Sequence, residues 1–214
     1  MKAGFPHRLY LVTDEASCLG RDMIQVVEAS VRGGVDLVQL REKNLGHDDF
    51  LSRALRLKEM LDRYGVPLIV NDSIAVALES SAAGIHVGNS DMPPVQVRKE
   101  WPGCKLLGYS IEYETQLNSD NALASDYLAI SPVFSTPTKT NTVVEWKLEG
   151  VHRIRSLTDK PLVAIGGINP DNAGLIIKAG ADCLAVVSAI CSAADPERAA
   201  ARLRTEIERS SGGI

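Results

Sequence analysis

The feature that most constrains this chain is a rhythm. Eight short apolar runs recur from end to end, alternating with helix-like stretches. The runs are Leu9–Asp14, Asp36–Arg41, Pro67–Asn71, Gly84–Val87, Lys105–Tyr109, Tyr127–Ile130, Leu162–Ile165 and Cys183–Val187. Helical patterns cover about Met23–Arg32, where Gly33-Gly34 stops the helix, and Asp48–Tyr64, closed by Gly65 and Pro67. A short helix follows Asp72, another opens at Pro93-Pro94, and the last runs from about Pro196 to Arg209. Strands alternating with helices imply a parallel sheet, because each crossover must carry the chain back to the same edge. Eight such units favour closure into a (β/α)8 TIM barrel of the α/β class, with residues 1–214 as one catalytic domain. The alternative is a doubly wound open sheet, but no glycine-rich fingerprint follows the first strand. The one long irregular stretch is Ser131–Trp146, whose prolines and threonines resist helix and strand alike; a loop of that length suggests a lid.

Charge and cysteine usage narrow the function classes. A formal net charge of −4 argues against non-specific nucleic-acid binding, so any anionic ligand must meet a local cluster of basic groups. Cys18, Cys104, Cys183 and Cys191 are scattered, with no CxxC pair, and read as reduced thiols in the core. Neither a signal peptide nor a membrane span is visible, and a cytoplasmic protein is expected. Oligomeric state has no signal in the sequence.

In a closed parallel barrel the active site lies at the C-terminal ends of the strands, and most strand-associated polar residues collect there. Gln39, Arg41 and Lys43 alternate along the second run, so they share the face opposite Val38 and Leu40. Two cations on an inward face need an anionic partner: either a ligand, or a structural ion pair with Glu42 or Asp72. Gly166-Gly167 and Val187-Ser188, the latter leading into a helical turn, have the makings of a second anion site. Asp72 and Asp91 follow neighbouring strands and could hold a hard cation such as Mg²⁺, with waters and phosphate oxygens completing the octahedron. His86 lies mid-strand and reads as a packed structural histidine; His7, His47 and His152 read as exposed. No Ser/His/Asp or Cys/His nucleophile arrangement is visible.

These residues resemble a family. Gln39-Leu40-Arg41-Glu42-Lys43, Asn71-Asp72, His86-Val87-Gly88 with Asp91, and Gly108-Tyr109-Ser110 are similar to segments of thiamine-phosphate synthases. So are Pro132 through Thr140, Ile165-Gly166-Gly167-Ile168-Asn169 and Val187-Ser188-Ala189-Ile190, in the family's order and over almost the whole chain. The resemblance implies a transferase of thiamine biosynthesis. Its small-molecule substrates are hydroxymethylpyrimidine diphosphate, which loses pyrophosphate, and a (carboxy)thiazole phosphate whose ring nitrogen takes its place, with loss of CO₂ from the carboxylated form. It implies an ionising path in which the protein neutralises the leaving group. It also implies roles: Asp72 and Asp91 as Mg²⁺ ligands, Arg41, Lys43 and Lys139 as a diphosphate clamp beside Asn71, and Gln39 and Ser110 on the pyrimidine, with Leu40 and Glu42 in the same substrate-binding segment. Thr136, Pro137 and Thr138 would contact the thiazole phosphate from the loop, and Gly167, Val187 and Ser188 would cradle its phosphate. Asn89 stands where the family usually has Gln, and Asn141 where Asp is more usual. The competing expectations are a thiazole tautomerase, which would lack the diphosphate clamp, another phosphate-sugar barrel enzyme with an acid/base pair, and a non-catalytic barrel that binds thiamine phosphate for regulation.

Overall fold

The computed structural model describes residues 5–135 and 145–211. Eight parallel strands close into a ring in chain order: β1 (Leu9–Val12), β2 (Leu37–Leu40), β3 (Leu68–Asn71), β4 (Gly84–Val87), β5 (Leu106–Ile111), β6 (Tyr127–Ile130), β7 (Leu162–Ile165) and β8 (Cys183–Val186). The seam pairs Leu9 with Leu184 and Leu11 with Val186, so no open edge remains and the doubly wound alternative is excluded. Helices α1 (Met23–Arg32), α2 (His47–Asp62), α3 (Ile74–Glu79), α4 (Pro94–Glu100), α5 (Asp120–Ala124), α6 (Lys147–Leu157), α7 (Pro170–Lys178), α8 (Ser188–Cys191) and α9 (Pro196–Ser211) fill the connections. The stretch read as irregular loop joins β6 to α6; its residues 136–144 lie outside the described ones.

Strand alternation divides the core in two. Leu9, Leu11, Val38, Leu40, Val70, Leu128, Leu162 and Leu184 point outward and pack with the helices. Tyr10, Val12, Leu37, Ile69, Tyr127, Val163, Cys183 and Ala185 point inward and fill the barrel. The helices present the stripes that this outer layer needs. In α1, Met23, Val26, Val27 and Val31 are buried, and Asp22 caps the first turn by accepting from the Ile24 and Gln25 amides at 2.8 and 3.1 Å. All four cysteines are buried and free.

At the N-terminal end of the barrel one device recurs. Asp36, Asp126 and Asp182, each just before an even-numbered strand, accept the backbone amide of a residue at the start of the preceding strand: Leu9 at 3.1 Å, Leu107 at 2.6 Å and Leu162 at 2.9 Å. Each also pairs with a helix arginine, namely Arg204 at 2.6 Å, Arg98 at 2.6 Å and Arg155 at 2.9 Å. These carboxylates tie helices to strands at the face opposite the site, where charge serves stability.

Space inside so narrow a barrel is tightly allotted. A Cβ on Gly108 would lie 2.2 Å from Tyr127 Cζ and 2.4 Å from His86 Nδ1. Gly108→Ala is therefore expected to destabilise the fold by about 1–3 kcal/mol through overpacking, read as a lower denaturant midpoint at unchanged slope.

Candidate active site

The strands end on one cavity. It is lined by Gln39, Arg41 and Lys43 from β2 and its exit, Asn71 and Asp72 from β3, Asp91 after β4, Ser110 of β5, and Gly167, Val187 and Ser188 after β7 and β8. Ten residues singled out from the sequence thus share one site. Gln39 is 4% exposed and Arg41 is half-buried, on the inward face that alternation assigned to them. The Arg41 amide donates to Thr13 Oγ1 at 3.1 Å, and Thr13 N donates to Gln39 O at 2.9 Å, so β1 fixes where β2 delivers its cation.

Leu40 and Glu42 are placed differently. Leu40 is fully buried in the outer layer, and Glu42 Oε1 accepts from Arg53 Nη1 at 2.6 Å; neither side chain lines the cavity. Alternation along the segment turns every second side chain to the helices. Thr136, Pro137, Thr138 and Lys139 lie outside the described residues, as does Asn141. Asn89 turns away from the cavity, accepting from the Tyr109 hydroxyl and from Gln116 Nε2, each at 2.6 Å.

The carboxylate pair sits at the ends of β3 and β4. Asp72 has a left-handed backbone, φ 63°, at the strand end, and its amide donates to His86 O at 2.9 Å. Its Oδ2 accepts from Asn71 Nδ2 at 2.5 Å and from the Lys43 ammonium, so the structural pair weighed for Lys43 is present. Among the described residues Arg41 has no ion pair. Asp91 Oδ2 accepts from the Gly88 amide at 2.8 Å. Burial, with the neighbouring Asp91 carboxylate, pushes the Asp72 carboxyl above its usual range against the pull of Lys43. No group of three or more acidic, histidine or cysteine side chains suited to a metal occurs among the described residues. A donor set of two hard carboxylates at a cavity rim fits Mg²⁺, which keeps waters and takes substrate oxygens for the rest of its shell.

Across the mouth, Gly166 and Gly167 adopt φ 106° and 64°, and a Cβ there would meet Pro132 Cβ at 2.6 Å and Phe134 Cβ at 2.7 Å. Glycine alone lets this turn pass under the 132–135 segment, whose Val133 and Phe134 amides donate to Ile165 O and Gly166 O at 2.9 and 3.1 Å. Asn172 Nδ2 donates to Gly167 O at 2.8 Å and holds the turn from below. Beside it Val187 is the N-cap of α8, and Ser188 is exposed at that helix's first turn. A glycine turn beside a helix start that carries an exposed hydroxyl suits a phosphate.

The barrel floor adds residues whose place at the cavity has no local signal in the sequence. His86 is 8% exposed, as expected of a packed histidine, yet it lines the cavity and its Nε2 lies 2.8 Å from Ser110 Oγ. Tyr10 lies beneath, with Tyr127 beside it. The same parity that singled out Gln39 applies to Tyr10 and Tyr127, but an inward tyrosine reads as core until its partners are seen. His7, expected on the surface, is half-buried, with Nδ1 2.9 Å from Asp36 O.

Comparison with known proteins gives one answer. A family model described as thiamine monophosphate synthase matches residues 9–190. A thiamine-phosphate synthase of Albidiferax ferrireducens is 51% identical over 201 residues, covering 94% of this chain and 92% of that protein. One from Leptospira biflexa is 46% identical over 202 residues, covering 92% and 96%. The solved thiamine phosphate pyrophosphorylase of Pyrococcus furiosus superposes with a TM-score of 0.88 at 29% identity, over 99% of this chain and all of that one. A 3-hexulose-6-phosphate synthase, at 17% identity and a TM-score of 0.69, shares the fold. With an eight-stranded closed barrel, a polar mouth in the family's order and relatives matched along nearly their whole length, the chain belongs to the thiamine-phosphate synthase family, transferase enzymes of thiamine biosynthesis.

Proposed function

We propose that this chain, as one catalytic domain, joins hydroxymethylpyrimidine diphosphate to a thiazole phosphate, releasing pyrophosphate, and CO₂ when the thiazole is carboxylated. The observation that carries the reading is the shared cavity. A cation pair, Arg41 and Lys43, and a carboxylate pair, Asp72 and Asp91, lie on its β2–β4 side, and the glycine turn with Ser188 on its β7–β8 side. One side suits a diphosphate with a hard cation, the other a single phosphate.

In this reading Gln39 and Ser110 hold the pyrimidine, while Arg41, Lys43 and Asn71 hold the diphosphate. Asp72 and Asp91 would hold Mg²⁺, which when bound supplies positive charge to the leaving group. As the carbon–oxygen bond to the diphosphate breaks, its electron pair leaves with pyrophosphate, and the guanidinium and ammonium groups stabilise that charge without reorganising. The aminopyrimidine delocalises the cation left behind, so no protein nucleophile is required. Gly167, Val187 and Ser188 fix the thiazole by its phosphate, bringing the ring nitrogen to the cationic carbon, where its lone pair forms the new bond. Lys139 and the 136–138 segment are assigned to the same ligands from the sequence resemblance.

The test is direct. Protein, both substrates and Mg²⁺ are incubated together, and thiamine phosphate and pyrophosphate are measured against controls lacking one substrate. Turnover requiring all components is expected; binding without product would make the chain a non-catalytic thiamine-phosphate binder. Ser188→Asp separates the two subsites. A carboxylate against the incoming phosphate is expected to raise KM for the thiazole phosphate by about 5- to 30-fold at this exposed position, with little change for the pyrimidine diphosphate. The reverse ordering would mean that the subsites are exchanged.

A further inference from the structure

An unbroken chain of hydrogen bonds runs beneath the cavity and joins the two residues assigned to the pyrimidine. Gln39 Nε2 donates to the Tyr10 hydroxyl at 2.7 Å. The Tyr10 and Tyr127 hydroxyls are 3.0 Å apart, and the Tyr127 hydroxyl is 3.2 Å from His86 Nδ1. His86 Nε2 lies 2.8 Å from Ser110 Oγ. Five strands, β1, β2, β4, β5 and β6, each contribute one member. Gly108 makes the route passable, since a Cβ there would sit 2.3 Å from the Tyr127 hydroxyl and 2.4 Å from His86 Nδ1. Tyr10 and Tyr127 are 1% and 0% exposed, and burial drives both phenols well above their ordinary pKa, so each keeps its proton.

Proton counting then gives the chain a direction. A hydroxyl has one hydrogen to donate. With the Gln39 amide N–H spent on the Tyr10 oxygen, the Tyr10 proton goes to Tyr127 and the Tyr127 proton to His86 Nδ1. A neutral imidazole that accepts at Nδ1 carries its hydrogen on Nε2 and donates it to Ser110 Oγ. The Ser110 hydrogen is thereby turned away from His86, and Gln39 keeps its carbonyl oxygen and second N–H for the cavity.

We propose that Tyr10 and Tyr127, acting through Gln39 and His86, are positioning residues that set the hydrogen-bond polarity of the pyrimidine subsite. Ser110 then presents a donor, and Gln39 an acceptor beside a donor. This pattern complements a 4-aminopyrimidine edge, whose amino group donates and whose ring nitrogens accept. A pyrimidinone, with N–H and C=O in those places, sets donor against donor and acceptor against acceptor at the Gln39 amide, so Tyr10 and Tyr127 select the amino form through the residues that meet it. The inference rests on the assignment of Gln39 and Ser110 to the pyrimidine.

The test combines one measurement on the unaltered enzyme with two pairs of variants. In the ¹⁵N spectrum of histidine-labelled enzyme, His86 is expected as the neutral Nε2–H tautomer; the Nδ1–H tautomer would overturn the polarity. Tyr10→Phe and Tyr127→Phe keep the rings and remove only the hydroxyls. Each is expected to weaken binding of the pyrimidine diphosphate, measured with Mg²⁺ present, by about 5- to 30-fold, the loss of one well-placed hydrogen bond, with thiazole phosphate KM within about twofold. Tyr127→Phe is also expected to shift the His86 tautomer ratio, which a purely packing role would not do. Unchanged pyrimidine affinity, or equal losses for both substrates together with a lowered melting temperature, would overturn the proposal. Gln39→Ala and Ser110→Ala separate the two levels of the argument. If these weaken pyrimidine binding and the Phe variants do not, the subsite stands and the polarity chain is wrong. If they leave it unchanged, the subsite assignment fails and the inference falls with it.

Discussion

Asp91→Asn is expected to lower Mg²⁺-dependent kcat by at least about 100-fold while leaving the barrel folded, because removing a charged ligand from the proposed two-carboxylate site costs more than the tenfold to hundredfold typical of an outer-shell partner. The fold should survive for a local reason. The structural task of Asp91 is to accept the Gly88 amide at 2.8 Å, and the asparagine carbonyl can accept it equally well. Asp72→Asn should behave alike. The left-handed backbone at Asp72, φ 63°, is one that asparagine adopts more readily than most residues, and its carbonyl can still accept from Asn71 and Lys43. Circular dichroism and thermal melts should match the unaltered enzyme, and titration with Mg²⁺ or Mn²⁺ should show a large rise in the concentration needed for half-maximal rate. Full turnover of either variant, or of the unaltered enzyme in excess chelator, would remove the carboxylate pair from the reaction.

Arg41→Ala is expected to cost about 10²–10³-fold in kcat, the range for deleting one preorganised donor aimed at developing charge. If Arg41 served the fold instead, its loss would lower stability and spare the rate. Its surroundings favour the first outcome. The backbone amide, not the guanidinium, anchors the residue, by donating to Thr13 Oγ1 at 3.1 Å. Among the described residues the guanidinium has no ion pair to lose, whereas Lys43 already has Asp72. Arg41→Lys should recover only part of the rate, since an ammonium restores the charge but not the planar fork that meets two phosphate oxygens at once. Equal kcat for Arg41→Ala and the unaltered enzyme, with a lowered melting temperature, would make Arg41 structural.

The lining of the candidate site was largely legible because strand alternation is a rule of backbone geometry. Once the second run is a strand, Gln39, Arg41 and Lys43 must share a face, and closure of the ring makes that face the interior. The same rule shows why Leu40 and Glu42 do not line the cavity: one belongs to the helix-facing layer, and the other bonds Arg53 on α2.

By itself, the sequence determined the eightfold strand–helix alternation, the parity of each strand and the end of the barrel on which polar residues collect. Each follows from short-range periodicity, because neighbouring side chains are constrained by the backbone they share. Tertiary structure alone decided which side chains meet. Tyr10 and Tyr127 are 117 residues apart, and His86 lies 41 residues before Tyr127, so no local pattern announces that their polar atoms join in one chain. Nor does a local pattern announce that Asp36, Asp126 and Asp182 each reach a strand amide and a helix arginine. Such partnerships depend on register between strands and on the stagger of the closed barrel, which are properties of the assembled ring and not of any segment in it.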